Sequence, residues 1–135
     1  MFYEYRLTIP ANTPATAPTE LEVELEHGRI VGVELQFPRG CVGLVHVQVR
    51  REHHQLWPSN PDGDIAGEES RISWQEDHYF TEQPYTLTLR GWNEDDSFAH
   101  TVTFRFNLLP LALPAPPPAP GPPGPAIIEE FALEL

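Results

Sequence analysis

The chain has 135 residues, a formal net charge of −12, eight arginines, no lysine and one cysteine. That length suits one domain with a modest core. The acidity argues against nucleic acid and anionic membrane as partners, Cys41 alone excludes an intramolecular disulfide or a Cys-based zinc site, and the missing lysine excludes Schiff-base and P-loop chemistry. No apolar run approaches the ~18 residues that a membrane-spanning helix needs. The opening MFYEYRLTIP lacks the basic and apolar regions of a signal peptide, so synthesis in the cytoplasm without a leader is expected.

The dominant period is two, that of a β-strand. In 2–9, Tyr3, Tyr5, Leu7 and Ile9 alternate with polar residues. In 20–26, Leu21, Val23 and Leu25 point one way, while Glu20, Glu22, Glu24 and Glu26 point the other and should be solvated. His27-Gly28 reads as a tight turn into 29–37, where Val31, Val33, Leu35 and Phe37 share a face. The pattern predicts a hairpin of these two strands.

Pro38-Arg39-Gly40 breaks the run, and Cys41 follows as a small buried thiol. Residues 42–50 resume the alternation with Val45, Val47 and Val49. Turn formers crowd 58–64. A short strand is predicted over 71–74 and a longer one over 85–91. A polar turn at 93–97 precedes the last strand, 98–108, with Val102, Phe104, Phe106 and Leu108 on one face. Seven or eight strands with one wet and one apolar face each predict an all-β fold, an antiparallel β-sandwich, jelly-roll-like, spanning 1–109, with a closed barrel as the lesser alternative.

After Leu109 the composition changes. Residues 110–125 hold nine of the sixteen prolines. Proline fixes φ and lacks an N–H, so a polyproline II linker is predicted, an extended arm of about 50 Å at ~3.1 Å per residue. Residues 126–135 carry Ile127, Ile128, Phe131, Leu133 and Leu135, apolar side chains that a solvated tail does not need. They are read as a partner-docking peptide, in the form of a helix or an added strand.

Asn60, Asp62 and Asp64 place oxygen ligands at alternate positions, a calcium candidate, although Ile65 stands where an EF-hand loop has glycine. An ordinary solvated turn accounts for the same residues. Six histidines are scattered; His46 and His100 lie within strands and would meet if those strands paired. Trp57, Trp74 and Trp92 would suit a sugar-stacking platform or, equally, a partial core. No Gly-x-Ser-x-Gly elbow, phosphate-binding glycine loop or metal cluster stands out, so neither an enzyme nor a cofactor is expected.

Three stretches add a resemblance: Phe37-Pro38-Arg39-Gly40-Cys41-Val42-Gly43 continuing to Val47; Gln55-Leu56-Trp57-Pro58-Ser59-Asn60-Pro61-Asp62-Gly63; and Gly91-Trp92-Asn93-Glu94-Asp95-Asp96 with His100-Thr101-Val102-Thr103. They resemble small β-sandwich proteins encoded among the virion genes of tailed bacteriophages and prophages, over roughly residues 3–110. The resemblance implies a decoration or cement protein on the outer surface of a capsid. Its partners would be the major capsid protein or neighbouring copies of itself in a homo-oligomeric lattice. The rival expectation is a carbohydrate-binding module whose proline-rich stretch is a spacer.

Overall fold

A computed structural model describes residues 1–112 and 118–121. The described residues are all-β. Nine strands follow in order: β1 (Phe2–Ile9), β2 (Thr19–Glu24), β3 (Gly28–Phe37), β4 (Val45–Arg51), β5 (His54–Trp57), β6 (Ile65–Ala66), β7 (Ser70–Phe80), β8 (Thr86–Asn93) and β9 (His100–Pro110). Two antiparallel sheets hold them, one of four strands in the order β1-β9-β3-β7, the other β2-β8-β4-β5 with β6 also on β4. Their inner faces pack together as a sandwich.

Most of the alternating residues form the core as expected, but Val31 does not, because the register shift between Ile30 and Gly32 turns it to the outer face and puts Ile30 inside, and Leu21 at 37% exposure lies outside the core as well. Val102, Phe104, Phe106 and Leu108 of β9 are at most 1% exposed. They meet Ile30, Val33, Leu35 and Phe37 of β3, the three valines of β4, and Leu87 and Leu89 of β8. Each such side chain contributes about 1.5–3 kcal/mol on burial. Glycine enters where two backbones crowd. A Cβ on Gly28 would stand 2.6 Å from the Leu109 carbonyl oxygen, and one on Gly91 2.4 Å from Ile9 Cδ1.

The structure corrects the expected hairpin of 20–26 with 29–37. β2 pairs with β8 in one sheet, and β3 pairs with β7 and β9 in the other. His27-Gly28 therefore carries the chain across the core. Both segments have one apolar face, and facing each other buries those faces, whereas lying side by side does not. Glu20, Glu22, Glu24 and Glu26 are exposed, as predicted, with Arg90 Nε 3.9 Å from Glu20.

Three further boundaries differ. β7 runs to Phe80, not Trp74, because its later inward positions are Glu76 and His78, polar residues that hide the period. The stretch 54–66 supplies β5 and β6, which occupy one side of β4 and are separated by the 58–64 loop. Pro110 is the last residue of β9, opposite Gly28, so the break falls beyond it. Leu111 is still tied to the domain, its carbonyl 3.1 Å from His27 Nδ1. The rest of the predicted linker lies largely outside the described residues, and the docking peptide lies entirely outside them.

Candidate functional surfaces

The 38–44, 58–69 and 94–99 loops carry Glu68, Asp64 and Asp95, whose carboxylates meet loop amides and the imidazoles of His46 and His100. The Glu68 carboxylate accepts N–H bonds from Gly40 at 2.8 Å and Val42 at 3.1 Å. These amides hold its carboxyl below the usual glutamate range. They also stabilise a tight turn in which Val42, a β-branched residue, takes φ of 49° between Gly40 at 99° and Gly43 at 71°. Asp95 accepts from the Ser97 and Phe98 amides and lies 2.8 Å from His100 Nε2. Those bonds, led by Ser97, depress its carboxyl as well.

These two carboxylates give a signed expectation. A depressed carboxyl contributes stability that is fully present above its unfolded value and is lost as pH falls through the folded value. With ordinary carboxyl values near 4, the loss attributable to Glu68 and Asp95 is expected to develop as pH falls below about 4. Urea midpoints followed from pH 6 to 2 should show it, and Asp95→Asn should reduce the slope. An unchanged slope would mean that the loop carboxylates do not drive acid unfolding.

His46 and His100 do not meet. One sits on β4 and the other on β9, in different sheets. His46 is instead held between carboxylates, with Nδ1 2.6 Å from Asp64 and Nε2 3.6 Å from Glu94. Its ring stacks on Trp92 at 5.4 Å between centroids, with planes 10° apart. The imidazole thus links β4 to two loops.

The calcium candidate is organised by amide donors. Gln55 Nε2 donates to the carbonyls of Pro58, Asn60 and Gly63, and Gln48 Nε2 to that of Gly63. Asp64 is engaged by His46, and Asp62 occupies the left-handed region at φ 61°. The loop carbonyls therefore point at N–H groups. Among the described residues no three His, Cys, Asp or Glu side chains converge as metal ligands.

The tryptophans do not share a platform. Trp57 is 4% exposed in the core, edge-on to Trp74 at 6.2 Å and against Phe106 at 6.3 Å. Trp74, half-buried, donates its indole N–H to Glu76. Trp92 stands on the outer face of the other sheet, one side of its ring taken by His46. Cys41 is fully buried, and burial, with Glu68 and Asp95 nearby, pushes its thiol up to about 11.

Two features were not read from the sequence. The outer face of the four-stranded sheet centres on Arg105, which donates to Glu4, Glu34 and Gln36, each at 2.8 Å. A shallow furrow of about 440 Å³ lies beside it, lined by Phe2, Gly32, Trp74 and Asn107 among others. Asn93, predicted to lie in a polar turn, is 1% exposed. Its amide donates to the carbonyls of Ile9 and Phe98, and its oxygen accepts from the Asp95 amide. Strands β1 and β8 and the 94–99 loop are thereby joined through one side chain. The only signal was an asparagine ending a strand, which a turn explains equally well.

Fold and surfaces define an antiparallel two-sheet sandwich whose polar loop residues act on their own backbone. No known protein family matches the chain, and no curated protein matches it significantly.

Proposed function

We propose that the protein is a non-enzymatic structural component of a large symmetric assembly, a virion decoration- or cement-like subunit that grips neighbouring subunits through its C-terminal arm. The carrying observation is where the domain finishes. The described core draws on residues from Leu7 to Leu108, and the sheet closes at Pro110. The sequence then continues with a proline-rich spacer and the apolar residues Ile127, Ile128, Phe131, Leu133 and Leu135. Strand order supports the same reading. Apart from β4, β5 and β6, which share one sheet, successive strands alternate between sheets, and the orders β1-β9-β3-β7 and β2-β8-β4-β5 follow the pattern of a double-sheet jelly roll, an architecture of capsid and lectin domains. That likeness is one of fold alone.

The arm converts modest contacts into avidity when repeated around a lattice. Polyproline II is already extended, so less conformational entropy is lost on docking. Truncation tests this. The cut belongs after Ala112, because Pro110 pairs with Gly28 and Leu111 with His27. The shortened chain is expected to melt within a few degrees of the full one. Self-association, followed by sedimentation velocity over ~1–100 μM, is expected to fall at least tenfold, and Phe131→Asp or Ile128→Asp alone should weaken it. Undiminished association after truncation would reject the docking arm.

A further inference from the structure

Among the described residues the four-stranded sheet has two edge strands, β1 and β7. β1 lies against β2 and β8 of the other sheet. β7, at the opposite edge, has β3 as its one strand partner among the described residues. Residues 70–75 pair with β3 in unbroken register, from Ser70 opposite Phe37 to Gln75 opposite Gly32, and the register shifts before His78. Beyond that shift Glu76 faces the inner side. An inward charge and an irregular ladder are two devices by which edges resist pairing. The 70–75 stretch has neither.

Its inner side is also unfinished. Ile72 and Trp74 are half-buried, whereas their β3 neighbours Leu35 and Val33 are 0% and 2% exposed. Ser70 Oγ is buried without a hydrogen-bond partner among the described residues. On the outer side stands Arg71, its side chain 62% exposed. Arg39 shares with it a depression of about 400 Å³ that also includes Ser70 and Glu69.

We infer that residues 131–135 of a second copy of this chain add as a strand to the 70–75 edge of β7. This rests on the assembly role proposed above and names its receptor. Phe131, Leu133 and Leu135 alternate with Ala132 and Glu134. In strand geometry the three apolar side chains fall on one face, over Ile72 and Trp74. Glu134 falls on the other, the side of Arg71 and Arg39. Main-chain bonds to the open ladder supply affinity, and the alternate side chains supply specificity.

Reach selects a second copy over the chain's own edge. Gly28 stands opposite both Pro110 and Phe80, so the arm departs level with the Phe80 end of β7. The 70–75 edge begins five residues back along β7 and ends ten back, about 17–33 Å at ~3.3 Å per residue. A spacer over 111–125 in polyproline II form would cover about 47 Å at ~3.1 Å per residue, so docking on the chain's own edge requires the arm to fold back, whereas a second copy accepts it extended.

Disulfide trapping in the full-length chain tests the inference. Full-length Ser73→Cys and Glu134→Cys chains, mixed under mild oxidation, are expected to give a covalent heterodimer that neither gives alone. Arg71→Glu should weaken association about fivefold, and Glu134→Arg should restore it. If truncation after Ala112 abolishes association but no trapped heterodimer forms and Arg71→Glu is silent, the receptor edge is wrong while the assembly role stands. A bond formed within one monomer carrying both cysteines overturns the second copy. A Ser73→Cys homodimer formed equally well by the truncated chain points to β7–β7 pairing and overturns the donated strand. Association unaffected by truncation rejects the docking arm itself, and with it both the donated strand and the proposed mode of assembly.

Discussion

Trp57→Ala is expected to destabilise the domain by about 3–5 kcal/mol, the usual range for deleting a large buried aromatic. The indole ends β5 inside the sandwich, edge-on to Trp74 and His78 and tilted against Phe106. Alanine removes these contacts and leaves a cavity among the rings of Trp74, His78 and Phe106. With a total stability of about 5–15 kcal/mol for a domain of this class, that loss should lower the thermal midpoint by well over 10 °C. Trp57→Phe should recover part of it. A loss below about 1 kcal/mol in urea titrations would place Trp57 at the surface and restore the sugar-platform reading.

Asn93→Ala should cost about 2–4 kcal/mol although it removes little volume. The Ile9 and Phe98 carbonyls lose their donor and the Asp95 amide loses its acceptor. Each buried polar group left unpaired costs about 1–3 kcal/mol, and the Ile9 carbonyl lies in the buried part of the site. Because the network joins β1 to the 94–99 loop, His100–Asp95 contact should loosen as well. Asn93→Asp should do no better, since a carboxylate facing two carbonyls cannot donate. Equilibrium unfolding with an unchanged denaturant slope checks the value. A loss under about 0.5 kcal/mol would mean that water replaces the amide without penalty.

By itself the sequence determined the strands and the core. A strand places alternate residues on opposite faces, so the runs at Leu7-Ile9, Val45-Val47-Val49 and Val102-Phe104-Phe106-Leu108 announce both the element and its buried side. It also marked the change of composition that follows the last strand, displaced by a residue or two because Pro110 can close a strand whose pairing needs no N–H from it.

Partnership was decided only in three dimensions. The local sequence around His27-Gly28 is equally compatible with a hairpin and with a crossing between sheets. The choice depends on which arrangement buries both apolar faces, and that involves β8 and β9, some sixty and eighty residues away. Asn93 and Ile9 are 84 residues apart and Arg105 and Glu4 101, so neither network has a local signature. Trp57 and Trp92 look alike in the sequence. Strand parity and the position of the opposing sheet bury one and leave the other half-exposed on an outer face. That β7 has a single strand partner among the described residues is likewise illegible in the sequence, because a strand's periodicity records which face is covered and carries no record of which side is paired.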